Sequence, residues 1–176
     1  MGYLVMIIFY QSIENAQMYR VRISKHIALS KSAVWKVIAS EKNLENFHPF
    51  CLSNEVVQWS RESSEDILIY LNGHKFVRKW TSWNEGTGYS LEISNSRFSA
   101  DVHWNIVGDE EHSTVEISVQ PNFLHTHPII RWISFHGIIN RRLRSYLRHV
   151  LKGLSHYLLT KQVVAANQFG KHSWFS

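Results

Sequence analysis

PIIRWISFHGIINRRLRSYLRHVLKGLSHYLLTKQ, residues 128–162, is the stretch around which the rest of the chain has to be arranged. Its apolar residues Ile139, Leu143, Leu147, Val150, Leu154 and Leu158 are four, four, three, four and four positions apart, which is the repeat of one helix face. Arg141, Arg144, Arg148, Lys152 and Ser155 fall on the opposite face by the same arithmetic. Pro128 suits a first helical turn, where its missing N–H is not needed. About 35 residues at a rise of 1.5 Å predict roughly 50 Å of helix. An apolar stripe of that length needs a large apolar surface to cover it.

What precedes it is almost all strand-like. Tyr19 to Ile27 alternates, with Tyr19, Val21 and Ile23 on one face and Arg20, Arg22 and Ser24 on the other, as in a half-buried strand. Ser30 reads as the N-cap of a short helix from Lys31 to about Ser40, whose apolar face is Ala33, Val34, Val37 and Ile38. Glu41–Phe47 reads as a second short helix, stopped at His48 because the residue before Pro49 is driven out of the helical region. Strand patterns follow at Leu52–Arg61, Asp66–Leu71, His74–Trp83, Gly88–Ser94, Phe98–Val107 and Ser113–Pro121. Asn72-Gly73 is a strong two-residue hairpin signal. The other links are also short, so neighbouring strands are expected to be antiparallel. The predicted fold is α+β: a curled antiparallel sheet of about seven strands around one long C-terminal helix, with two short helices after the first strand. Inward candidates at the two-residue strand period are Phe76 and Trp80; Leu91 and Ile93; Phe98, Val102, Trp104 and Ile106; Val115, Ile117 and Val119.

Length and composition agree. At 176 residues one domain is expected. With 44% hydrophobic and 19% charged residues the chain is globular, not disordered. The net charge of +5 raises an acidic partner, but the dense basic run Arg141, Arg142, Arg144 and Arg148 has no aromatic platform for bases beside it. It is read as a solvated helix back, and no nucleic-acid partner is inferred. Cys51 is the single cysteine, so no internal disulfide forms. That suits a reducing compartment such as the cytoplasm, with an inert buried thiol. Tyr3–Tyr10 (YLVMIIFY) is apolar throughout but far shorter than a membrane span. An extra strand, an interfacial anchor, a dimer contact, or a natural start at Met18 all remain open for it. The domain is placed at 18–162, between an N-terminal extension (1–17) and a C-terminal tail (163–176). Monomer and homodimer both remain open.

The element order resembles the helix-grip fold of the START/Bet v1-like superfamily, also called SRPBCC. Within it, the chain is similar to the polyketide cyclase/dehydrase and coenzyme Q-binding branch. Three pieces carry the resemblance: VWKVIASEKNLENFHPFC (Val34–Cys51), the hairpin LNGHKFVRKWTSW (Leu71–Trp83), and DVHWNIVGDEEHSTVEISVQPNF leading into HPIIRWISFHGIINRRL (Asp101–Leu143). It covers about Tyr19 to Tyr157. The resemblance implies a hydrophobic small molecule (a lipid, an isoprenoid quinone or an aromatic polyketide) held between sheet and long helix, with no shared catalytic constellation and no cofactor. Two alternatives stand beside simple binding: a cyclase or dehydratase acting in the same cavity, and a peripheral membrane lipid-exchange module using the N-terminal apolar run and the helix arginines.

Polar groups inside such a cavity would decide between these. Arg78 has the strand parity of Phe76 and Trp80. It is expected either to point into the aromatic lining and meet a ligand carbonyl or carboxylate, or to escape to water at a bulge or edge. His136 precedes Gly137, which allows a kink near the start of the long helix, and could serve there as an acid or base. Arg78 and His136 are thus the only catalytic candidates. The ligand-binding set is Phe76, Arg78, Trp80, Leu91, Phe98, Val102, Trp104, Val115, Ile117, His136, Ile139 and Leu143. His103 and Asp101 share a face opposite Val102 and Trp104 and are expected to be surface neighbours. His125-x-His127 offers two imidazoles, but HExxH and paired-cysteine motifs are missing, so no metal site is inferred.

Overall fold

A computed structural model describes residues 19–122 and 127–176. The apolar run Tyr3–Tyr10, the start at Met18 and His125 lie outside the described residues. Strand β1 (Val21–Ile27) leads into helices α1 (Lys31–Ile38) and α2 (Leu44–Phe47). Six strands follow: β2 (Cys51–Gln58), β3 (Glu65–Tyr70), β4 (Lys75–Asn84), β5 (Gly88–Ser94), β6 (Ser99–Gly108) and β7 (Ser113–Asn122). They form one antiparallel sheet in the order β1-β7-β6-β5-β4-β3-β2. A meander whose first strand returns to pair with its last must curl, and the curl gives the sheet a concave face.

The C-terminal segment fills that curl. It runs as α3 (Pro128–Ser134), a π turn (Phe135–Ile139) and α4 (Asn140–Thr160), so the expected single helix is interrupted around Gly137. Lys161 ends it in the left-handed conformation, its N–H donating to the Tyr157 carbonyl, as in a helix stop. Leu143, Leu147, Val150, Leu151, Leu154 and Leu158 are buried. Ser155, assigned to the solvent face by the sequence, is buried as well, because the helix is covered on more than one stripe. Gly153 lets α4 approach α2 closely: a Cβ there would lie 2.0 Å from the Phe47 carbonyl oxygen.

At α1 the Ser30 hydroxyl accepts from the Ala33 N–H, which satisfies an otherwise orphaned donor. Trp35 is buried on this helix with Val34 and Ile38. The β3–β4 turn is one residue longer than expected. Tyr70 N donates to the His74 carbonyl and Gly73 N to the Tyr70 carbonyl, with Gly73 at φ 81°. The loop is therefore Leu71–Gly73, and Asp66 stands opposite Arg78.

The interior has two halves. One is solid with aromatic rings: Trp80 lies 5.1 Å from Trp59 and 5.7 Å from Tyr89, and Trp35 lies 5.2 Å from Trp83. Glu85 accepts from the indole N–H groups of both Trp35 and Trp83. The other half, under the first turns of α4, is hollow.

Residues 163–176, set apart as a tail, fold back onto the domain. Val164 N donates to the Asn46 carbonyl and Asn167 N to the Pro49 carbonyl. His172 Nε2 lies 3.1 Å from the Arg142 carbonyl. The Phe175 ring stacks on Tyr70 at 4.1 Å.

Candidate functional site: the cavity between sheet and helix

The hollow half is a cavity of about 510 Å³, within the range that takes a drug-sized ligand. Its walls come from the concave strand faces, from Ile139 to Val150 on the long helix, and from Ser173, Trp174 and Phe175. Asn72, His74 and Ser173 are the exposed lining residues, so the mouth lies by the β3–β4 hairpin tip. Of the residues expected to line a ligand site, Phe76, Arg78, Leu91, Phe98, Val102, Trp104, Ile117, Ile139 and Leu143 do line the cavity.

Trp80, Val115 and His136 do not. Trp80 and Val115 face inward, but further along their strands, in the solid half. Strand parity gives the face of a residue and not its depth along the sheet. His136 is exposed, its ring tilted against that of Trp132 with centroids 5.1 Å apart. In an uninterrupted α-helix it would sit three residues before Ile139 on the apolar stripe. The wider π turn rotates it outward and leaves Phe135 buried instead.

Arg78 is buried and does not reach water. Its Nε donates to Asp66 Oδ1 at 2.7 Å, one Nη donates to Asp66 Oδ2, and the same nitrogen is 3.4 Å from Asn54 Oδ1. Burial works to lower its pKa, but the Asp66 carboxylate outweighs it and holds the guanidinium above its ordinary value. The pair adds no net charge to the cavity.

Sequence reasoning missed three polar groups on the cavity wall. His48 Nε2 is 2.9 Å from the Tyr146 hydroxyl, which is 2.9 Å from the Tyr70 hydroxyl. Burial, then the nearby Arg78 cation, pushes His48 down to about 3, so its imidazole is neutral. Its Nδ1 accepts the Phe50 backbone N–H at 3.2 Å, so the ring hydrogen is on Nε2 and is donated to Tyr146. The three groups then hold three hydrogens and share two hydrogen bonds. One phenolic O–H is left over, whichever way the tyrosine pair is arranged. Burial raises both phenols, Tyr146 to about 12 and Tyr70 well above its ordinary value, so both keep their protons. Burial likewise lifts the Cys51 thiol to about 12. His48 and Tyr146 are 98 residues apart, and no local pattern links them.

His103, expected at the surface beside Asp101, is partly buried and has its Nδ1 2.8 Å from the Ser90 hydroxyl. Among the described residues no three His, Cys, Asp or Glu side chains are grouped as metal ligands would be.

No family model matches the chain, and no curated protein sequence matches it. Solved structures do. A START superfamily protein from Mycobacterium smegmatis superposes with a TM-score of 0.65 at 10% identity, over 81% of this chain and 99% of that one. Ara h 8.0201 gives 0.59 at 14% identity, over 80% and 97%. DynU16, from the dynemicin biosynthetic locus, gives 0.63 at 12% identity, over 82% of this chain and 48% of that one. With the seven-stranded curled sheet gripping the long helix, these likenesses identify the architecture: the chain has the helix-grip fold of the START/Bet v1-like (SRPBCC) superfamily.

Proposed function

We propose that the protein binds a neutral, largely apolar small molecule in this cavity, and that an acceptor oxygen on the ligand takes the spare O–H of the Tyr70–Tyr146 pair. The observation that carries this reading is the combination of an apolar hollow, one buried cation already matched by Asp66, and one phenolic hydrogen with no acceptor. Apolar burial supplies affinity at about 25 cal/mol per Å², and the tyrosine pair sets orientation. Isoprenoid quinones and aromatic polyketides carry carbonyl acceptors and suit this arrangement better than a lipid with a charged headgroup. Binding is favoured over cyclase or dehydratase chemistry because His48 stays neutral and internally bonded, Arg78 is held by Asp66, and His136 lies outside the cavity.

The test uses two fluorescent probes: Prodan, a neutral naphthyl ketone, and NPN, a naphthylamine with no oxygen. Tyr70→Phe/Tyr146→Phe, which removes both phenolic hydrogens (either single variant leaves one free), should weaken Prodan binding by roughly tenfold, the worth of one hydrogen bond in a desolvated site, and should leave NPN affinity within about twofold. Equal loss for both probes, or for neither, would remove the tyrosine pair from the site. Failure of both probes to bind the wild type would remove the cavity reading itself.

A further inference from the structure

The long C-terminal segment carries a second surface that faces away from the cavity. Ile129, Ile130, Trp132, Ile133 and Ile138 are between 50% and 62% exposed. The described part of α3 has no buried residue. Core packing leaves single apolar side chains exposed, but five together on one short stretch form a patch, and patches mark contact sites.

The charges beside the patch indicate what it meets. From Ile117 to Ser176 the sequence has no Asp or Glu and eight Lys or Arg. That segment carries +8, against −3 for residues 1–116, which together give the +5 of the whole chain. Ile129, Ile133, Gly137, Arg141, Arg144 and Arg148 follow one another at steps of four, four, four, three and four, and all are exposed. One outward ridge therefore starts with isoleucine and continues with arginine. Arg131, whose guanidinium lies 4.7 Å over the Tyr19 ring, belongs to the packing side instead.

We propose that this ridge docks on an anionic lipid bilayer. The isoleucines and Trp132 enter the headgroup–acyl boundary, and Arg141, Arg144 and Arg148 meet lipid phosphates. A protein partner would need matching carboxylates around an apolar socket, whereas an anionic membrane presents both features everywhere. The contact is peripheral, since among the described residues no helix is long and apolar enough to cross a membrane. The geometry brings the cavity along: Ile139 lines it, next to exposed Ile138. Phe98, just before β6, lines it near the end of β7, from which the chain runs to Pro128. Docking would set this end of the cavity near the lipid surface. The inference rests on the ridge and its charge and stands without the ligand reading.

The test is flotation of the full-length protein with vesicles of phosphatidylcholine alone and of phosphatidylcholine mixed with phosphatidylglycerol. Wild type should float with the mixed vesicles only, and less as salt is raised. Ile129→Ser/Ile133→Ser should weaken this by about tenfold or more, with an unchanged melting temperature. Arg141→Gln/Arg144→Gln should flatten the salt dependence. The proposal is overturned if the serine variant floats as well as wild type, or if wild type ignores anionic vesicles. It is also overturned if the serine variant melts several degrees lower, which would mean the patch packs within the chain. Finally, it is overturned if wild type sediments as a dimer that the serine variant splits, with no vesicle binding, because a second copy would then be the occupant.

Discussion

Asp66→Ala is expected to destabilise the fold by about 3–5 kcal/mol, the cost of leaving a buried charge without its partner. Asp66 is fully buried and Arg78 nearly so. With the carboxylate gone, Arg78 keeps only the Asn54 contact and its place 5.1 Å over the Trp80 ring. Neither replaces a bidentate carboxylate. The double variant Asp66→Leu/Arg78→Met should recover most of the loss, because an ion pair in this setting offsets its own desolvation poorly compared with packed apolar groups. Urea unfolding followed by tryptophan fluorescence measures both. A single-variant loss under about 1 kcal/mol would show that Arg78 finds water, contrary to its burial.

Acid should unfold the protein through His48. Its folded pKa of about 3 lies below the ordinary 6.5, so below pH 6.5 the unfolded chain takes up a proton that the folded chain refuses. The stability from keeping this imidazole neutral is complete above about pH 6.5 and is lost as pH falls toward 3. The limiting slope is about 1.4 kcal/mol per pH unit and the total is on the order of 5 kcal/mol. Burial also lowers His172 and His103, which adds to the same limb. His48→Gln isolates the term: glutamine can still donate to Tyr146 and does not titrate, so its urea midpoint should fall more gently from pH 6.5 to 4. Parallel limbs for wild type and variant would mean that another group controls the acid transition.

The strands were legible because each shows its period and lies between turn residues. Gly88–Ser94 matches to the residue, and the others differ by one to three residues at their ends. The Asp66–Arg78 pair was one residue from legible. A two-residue turn at Asn72-Gly73 sets Ile67 opposite Arg78, whereas the observed three-residue loop sets Asp66 there, and a one-residue slip exchanges faces along a whole strand. His136 was misplaced for a similar reason: helix arithmetic assumes one pitch, and the π turn at Phe135–Ile139 changes it. The His48–Tyr146–Tyr70 chain and the folded-back residues 163–176 had no periodic signal. Both depend on contacts between distant segments, such as Phe175 on Tyr70. The division of the interior into a solid and a hollow half, which separates Trp80 and Val115 from the cavity, is likewise a property of packing and not of pattern.

The central claim is that the space under Ile139–Val150 takes a neutral apolar ligand. Leu91, buried on β5 and lining that space, gives the direct test: NPN titrated into wild type and into Leu91→Trp, which fills the cavity from the sheet side. Wild type should bind one equivalent saturably and the filled variant at least about tenfold more weakly, with both proteins folded by circular dichroism. Equal affinity in the two proteins, or no saturation in wild type, would contradict it.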